Sequence, residues 1–265
     1  MSIPADNPHR LVLGTGERAI FISDLHLGPA HPEIETRFAR FLDRVRDECD
    51  ALFILGDLFE YWIGDDAAGR LGHDRAIDLL GRFIERSGCR GYMMHGNRDF
   101  LVGEDFARRT GLSLLPDPCL VECGGTPVLL SHGDALCTDD TEHRAFRRMV
   151  REPAWHAEFP ALGIDQRLER AREARERSES GKSRKAAYIM DVNERAVADL
   201  MLRFDVRFLI HGHTHRPAIH RLDLDGKTGW RIVLGDWYDG TSDLVIADGA
   251  VHYAPDGKAR ELPLL

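Results

Sequence analysis

Short apolar runs along this chain break off repeatedly at polar residues. AIFIS (19–23) stops at Asp24 and His26, ALFIL (51–55) at Gly56 and Asp57, and GYMM (91–94) just before Asn97. PVLL (127–130) stops before His132, and VRFLI (206–210) before His213 and His215. Their length and their bulky apolar content predict buried strands. Between them, apolar residues recur at helical spacing. Pro32 at a first-turn position, then Ile34, Phe38, Phe41, Leu42 and Val45, predict an amphipathic helix. Ile77, Leu80, Phe83 and Ile84 predict a second, ended by Gly88, and Ala196, Val197, Leu200, Met201 and Phe204 a third. Leu11–Leu13 reads as one short strand. Beyond residue 217, RIVLGD, DLVIAD and AVHY are short segments between Gly and Asp turns, an antiparallel pattern. The chain is α/β first and β-rich at its end, with two sheets.

One stretch breaks the alternation. Residues 135–190 hold no strand-like run. RLERAREARERSESGKSRK (167–185) begins as a helix laced with i,i+4 ion pairs and ends in a small, basic tail. Just before it lie Trp155, Phe159, Pro160, Leu162 and Ile164, apolar without strand alternation. The economical organisation is a core of 19–134 and 191–265, an inserted helical cap at 135–190 over the strand ends, and a peripheral N-terminal extension at 1–18.

Composition narrows the partners. A net charge of -9, from 35 basic and 44 acidic residues in 265, argues against general nucleic-acid binding. It leaves room for a small phosphorylated substrate held by local Arg and Lys. Five cysteines, an odd and scattered set, together with no apolar signal-peptide region, point to a reducing cytosol with free thiols. Cys119 and Cys123 lie four apart with no second pair, so they read as small buried residues rather than a zinc site. No apolar run approaches the roughly 20 residues of a membrane span, while peripheral contact stays open.

The strand-end residues carry the chemistry. In an extended segment the alternate residues of Asp24-x-His26 share a face, as do those of His213-x-His215. With Asp57, Asn97 and His132 the set has seven members. Carboxylate, imidazole and amide ligands suit divalent first-row metals, not a thiolate site or an all-oxygen calcium site. Seven are too many for one tetrahedral ion. They suit two octahedral ions sharing a carboxylate, and two such ions roughly 3.5–4 Å apart form the clamp used in phosphoester displacement.

The ordered motifs resemble the calcineurin-like metallophosphoesterases. Within them, SDLHLG, LGDLFEYWIGDD, HGNRDFL, SHGDALCTDD, IMDVN and HGHTHRP are similar to the UDP-2,3-diacylglucosamine hydrolase (pyrophosphatase) family of lipid A biosynthesis. The likeness covers most of residues 19–240. It implies a four-layer α/β/β/α sandwich of two mixed sheets with an inserted helical cap. It implies release of UMP from UDP-2,3-diacylglucosamine, leaving the 1-phosphate, by a manganese-dependent cytoplasmic enzyme at the inner face of the inner membrane. Carried over by position, Asp24, His26 and His215 would hold one Mn2+ ion, and Asn97, His132 and His213 the other. Asp57 would bridge them. Asn97, Arg98, Asp140, Ser178, Lys182, Lys185 and His213 would contact substrate, with Asp57, Asn97, Arg98 and His213 at the chemistry.

Two departures and two open choices matter. The wider superfamily has G-N-H-[DE]; this chain has Gly96-Asn97-Arg98-Asp99. Arg cannot act as a general acid at neutral pH but can grip phosphate oxygens, which favours an anhydride, whose leaving group needs little protonation. Where the resemblance implies Asn, this chain has Lys182. Tyr61 and Trp62 either stack on uracil or belong to the core. Trp155, Phe159, Leu162 and Ile164 either line an acyl groove, with basic neighbours facing lipid headgroups, or form the cap's own core. The rival functions are a dinuclear-metal phosphodiesterase or pyrophosphatase acting on a soluble nucleotide, and a catalytically dead lipid-binding homologue.

Overall fold

The structure, a computed structural model, describes residues 11–182 and 191–264, and their side chains except at 177–182. The strands are β1 (Leu11–Leu13), β2 (Ala19–Ile22), β3 (Ala51–Leu55), β4 (Arg90–Met94), β5 (Ser113–Leu115), β6 (Cys119–Cys123), β7 (Thr126–Ser131), β8 (Phe208–His211), β9 (Ala218–Leu224), β10 (Lys227–Val233), β11 (Leu244–Ala247), β12 (Ala250–Tyr253) and β13 (Arg260–Pro263). The helices are α1 (Pro32–Val45), α2 (Asp74–Ser87), α3 (Glu104–Thr110), α4 (Thr141–Val150), α5 (Pro153–Glu158), α6 (Ile164–Lys182) and α7 (Glu194–Arg203).

The strands form two mixed sheets. One runs β13-β12-β11-β2-β3-β4-β5, the other β1-β6-β7-β8-β10-β9. In the first, β2 to β5 are parallel and β11 to β13 antiparallel. Strand alternation sends Phe21, Phe53 and Leu55 toward the second sheet, where they meet Val128, Leu130, Phe208 and Ile210. The opposite faces of the same strands, Ile20, Ile22, Leu52 and Ile54, pack under α1, α2 and α3. On the far side, Val197, Leu200 and Met201 of α7 cover Leu120, Leu129 and Leu209 of the second sheet. Four layers result, α/β/β/α, as the resemblance implies. Strands buried on both faces explain why the runs read as continuous apolar segments.

Local chemistry ends the elements where the pattern predicts. Pro32 opens α1, and Gly88, at φ 69°, caps α2 by donating its N–H to Ile84 O. Asn193 caps α7 by accepting from Ala196 N–H, and its amide donates to Asp139 at 3.0 Å. That bond joins the two ends of the stretch carrying α4, α5 and α6. All five cysteines are buried and free. Cys119 and Cys123 are core residues of β6.

The stretch from α4 to α6 seats its apolar residues against the core. Phe159 is buried against Ile63, Ala67 and Leu71 of the loop after β3, with Trp155, Leu162 and Ile164 partly buried beside it. The cluster is a joint between this stretch and the core. Arg167 of α6, 2% exposed, donates to Ile63 O at 2.6 Å and to Asp66 at 2.8 Å. Spacing predicts ion pairs along α6; the structure also sends its charges across, Arg167 to Asp66, Arg175 to Glu60 and Asp165 to Arg70. Trp62 is 2% exposed and packs on Phe59, His73 and Phe106, so it belongs to the core.

Phe21, Phe53 and Tyr92 stack across β2, β3 and β4 with centroids 4.8 Å apart at each step. Phe53→Ala is expected to cost about 3–5 kcal/mol in denaturant unfolding, from lost transfer energy plus a cavity between the sheets. A cost below about 1 kcal/mol would contradict this packing.

Candidate metal centre

Among the described residues, eight non-glycine positions have positive φ, and five are Asp24, His26, Asp57, His213 and His215. Each such conformation costs about 1–3 kcal/mol, and its concentration at one edge marks a site rather than a set of random turns. It also corrects the extended reading of D-x-H and H-x-H. The paired side chains converge because the backbone turns into the left-handed region, not because a pleat aligns them.

Neighbouring strand-end loops hold this backbone in place. Asp24 N–H donates to Gly56 O at 3.1 Å and His26 N–H to Asp57 O at 3.0 Å. His213 N–H donates to Asp24 Oδ2 at 2.9 Å. The fully buried Asp99 accepts from Gly96 and Leu58 N–H, each at 2.8 Å, tying the GNRD loop to the GDLFE loop. At Gly96 a Cβ would collide with Asp57. At Gly56, φ 87°, it would sit 2.6 Å from His132 Nδ1. Both glycines are there for close approach.

The fold gathers the predicted ligands into two groups. Asp24, His26 and His215 form one and Asp57, His132 and His213 the other, with the ligand atoms of each group within 4.8 Å of one another. His26 Nε2 faces His215 Nε2 at 3.1 Å, and Asp24 Oδ1 lies 3.3 Å from His215 Nε2. His132 Nε2 lies 3.7 Å from Asp57 Oδ1 and 3.1 Å from Asn97 Oδ1. Arg98 stands beside them: its N–H donates to Asp57 Oδ1 at 2.8 Å and its guanidinium faces Glu60 at 3.7 Å.

The donor set fits divalent ions. Asp24 and His132 are fully buried, and Asp24 Oδ1 has no hydrogen-bond partner. A buried carboxylate oxygen without a donor is costly unless a cation meets it. Three imidazoles have their Nδ1 side engaged or faced: His132 by Leu55 O at 2.8 Å, His215 by Asp236 at 3.2 Å, and His26 by Glu60 at 3.5 Å. This leaves Nε2 toward the cluster, the arrangement of metal-ligating histidines. Sequence reasoning assigned Glu60 and Asp236 no role. Glu60 ends the G-D-x-x-E motif, and Asp236, in LGD after β10, repeats the strand-end pattern of the other ligands.

The electrostatics are those of crowded, dry ligands. Burial opposes ionisation of Asp24, but the His215 imidazole 3.3 Å away holds its carboxyl well below the usual range. Burial, helped by Asp99 and Asp24, pushes Asp57 up to about 7 against the pull of His132. Burial lowers His26 to about 3. For His132 and His215 burial is outweighed: Asp57, Asp24 and Asp134 raise His132 to about 9, and Asp236 and Asp24 raise His215 to about 10.

Of the remaining predicted residues, Asp140 has a described side chain and the others do not. Asp140 caps α4, accepting from His143 N–H at 3.0 Å. Ser178 and Lys182 fall in the backbone of α6, but their side chains, and all of Lys185, lie outside the described residues. Asp134 of SHGD was missed as a contact: it is buried and pairs with Arg147 at 2.7 Å, fastening α4 beside His132.

Residues 17–217 match the family model for calcineurin-like phosphoesterase. The chain is 50% identical over 221 residues to a UDP-2,3-diacylglucosamine hydrolase of Chromohalobacter salexigens, covering 83% of this chain and 89% of that one. It is 47% identical over 249 residues to one of Stenotrophomonas maltophilia, covering 91% and 99%. It is 46% identical over 230 residues to one of Escherichia coli, covering 86% and 95%.

Without an ion, His132 and His215 are raised to about 9 and about 10, so both carry protons at pH 7. A ligating nitrogen must lose its proton, so uptake of a divalent ion at pH 7 is expected to release protons, with affinity rising toward pH 9. Calorimetry in buffers of different ionisation enthalpy measures the release. Uptake without it would contradict the assignment.

Proposed function

The chain belongs to the calcineurin-like phosphoesterases and, within them, to the UDP-2,3-diacylglucosamine hydrolases, and on that basis we propose that it hydrolyses the pyrophosphate bond of UDP-2,3-diacylglucosamine. The products are UMP and 2,3-diacylglucosamine 1-phosphate, a step of lipid A biosynthesis. The observation that carries the reading is the pair of buried ligand groups at the strand ends with Arg98 beside them. A soluble-nucleotide phosphodiesterase lacks this support, since the curated relatives are named for the lipid substrate.

In this reading Asp24, His26 and His215 would hold one ion, Asn97, His132 and His213 the other, and Asp57 both. The mixed oxygen and nitrogen set suits Mn2+. When bound, two such ions supply the Lewis acidity that activates water and offsets charge on the attacking and leaving oxygens. The chain does the rest. Arg98, held by its backbone bond to Asp57, presents a permanent cation to the phosphate oxygens as charge builds. It cannot protonate a leaving alkoxide, and a departing phosphate needs none. Burial holds His213 well below its ordinary pKa, so its ring stays neutral and able to ligate.

Residues 135–190 serve as the cap. Its seating on the loop after β3, through Phe159 and Arg167, supports a role over the strand ends. Trp155, half-buried and 5.6 Å from Phe100, offers apolar surface for acyl chains. Asp140, Ser178, Lys182 and Lys185 supply sugar and phosphate contacts. The protein works at the cytoplasmic face of the inner membrane. Among the described residues no helix is long and apolar enough to cross a bilayer. Phe146 (38% exposed) and Met149 (47%) on α4, beside Arg144 and Arg148, support contact with an anionic surface.

Mn2+-loaded protein is expected to release UMP from UDP-2,3-diacylglucosamine, and its failure to do so would overturn the reading. Arg98→Ala is expected to lower kcat/KM by about 10²–10³. Arg98→His is expected to lose lipid substrate and gain aryl phosphate ester hydrolysis; faster lipid turnover without ester hydrolysis would contradict the role given to Arg98. Phe146→Ser with Met149→Ser is expected to weaken binding to anionic vesicles about tenfold or more, since two large apolar side chains leave the interface. Unchanged vesicle binding would place the contact elsewhere.

A further inference from the structure

Glu60 lies on the loop after β3, three residues beyond Asp57, and is 7% exposed. A carboxylate that dry needs compensating partners. Its two oxygens divide them. Oε2 lies 3.5 Å from His26 Nδ1 and accepts from Tyr238 OH at 3.4 Å. Oε1 faces Arg98 Nη1 at 3.7 Å and pairs closely with Arg175 Nη1 on α6. One buried side chain therefore touches a member of the first ligand group, the arginine beside that group, and the helix that packs above it.

His26 Nδ1 makes no hydrogen bond, and Glu60 is the carboxylate that faces it. A ligating imidazole is oriented, and made more basic, by a carboxylate on its other nitrogen. Asp236 stands in that relation to His215, and it accepts from Tyr238 N–H of its own loop. Glu60 differs because its Oε1 pairs with Arg175, a residue of the stretch between β7 and α7. That helix has a separate anchor, Arg167 on Asp66 and Ile63 O, so loss of the Arg175 contact leaves it attached.

We propose that Glu60 is a positioning residue that couples the seating of α6 to His26 and Arg98: with Arg175 in place the carboxylate is fixed, His26 is oriented toward its ion and Arg98 is aimed at substrate phosphate. This deepens the metal-centre reading and rests on it. The mechanism needs no movement of the core, since Glu60 is carried by the same loop as Asp57.

The test is Mn2+ titration of the full chain, read by electron paramagnetic resonance of free ion, for wild type, Glu60→Gln, Glu60→Asp, Arg175→Gln and the double variant Glu60→Gln/Arg175→Gln. Thermal melts of the ion-free proteins verify folding. Glu60→Gln is expected to weaken one of the two ions by roughly 10–100-fold and spare the other. Glu60→Asp restores part of that loss. Arg175→Gln weakens the same ion by a smaller factor, and the double variant binds no more weakly than Glu60→Gln, because Arg175 acts through Glu60. A general structural defect would weaken both ions alike. Equal weakening of both, wild-type titration of Glu60→Gln, or additive losses in the double variant would each overturn the proposal. If wild type takes up no Mn2+, the metal-centre reading itself fails, which is a distinguishable result.

Discussion

Five ionisable residues held in left-handed backbone at the ends of neighbouring strands are the constraint on which the rest depends. Asp24, His26, Asp57, His213 and His215 turn sharply enough to converge only because each loop is hydrogen-bonded to the next. The loops are in reach because β2 and β3 are parallel neighbours in one sheet, and β8 of the sheet packed against it ends where His213 N–H meets Asp24. A parallel sheet delivers several strand ends to one edge, and the four layers stiffen it. The strain at the site is thus borne by an apolar core whose burial far exceeds it in scale.

The same edge explains how the outer helices attach. The motifs that end the strands carry acidic residues beyond the ligands themselves. Asp134 after β7 takes Arg147 of α4, Asp66 and Glu60 after β3 take Arg167 and Arg175 of α6. Helix-to-core attachment and ligand geometry therefore share one set of loops. Charge thus gathers at the strand ends, while Trp155, Phe159, Leu162 and Ile164 place apolar side chains in the stretch attached to them.

Much of this was legible from the sequence. The apolar runs placed β2, β3, β4, β7 and β8, and helical spacing placed α1, α2 and α7, because each depends on alternation or on a 3.6 period within a dozen residues. All seven candidate ligands were picked out as polar residues just past those runs. What escaped were residues whose role is set by distant partners. Glu60 and Asp236 stand in strand-end motifs, but nothing local pairs them with His26 and His215, and the charges of α6 read as pairs within the helix although Arg167 and Arg175 reach the core. Trp62 could have been a stacking platform; its burial among Phe59, His73 and Phe106 made it core.

The sequence by itself determined the site-bearing strands, the helices α1, α2 and α7 and the identity of the side chains offered at each strand end, since periodicity and strand termination are local properties. Tertiary structure decided which ends meet, which backbone turns left-handed, and which acid stands behind which imidazole. His26 and His215 are 189 residues apart and touch at 3.1 Å. Glu60 and Tyr238 are 178 apart. Contacts across such separations arise from strand order and sheet packing, which a one-dimensional pattern constrains but does not contain.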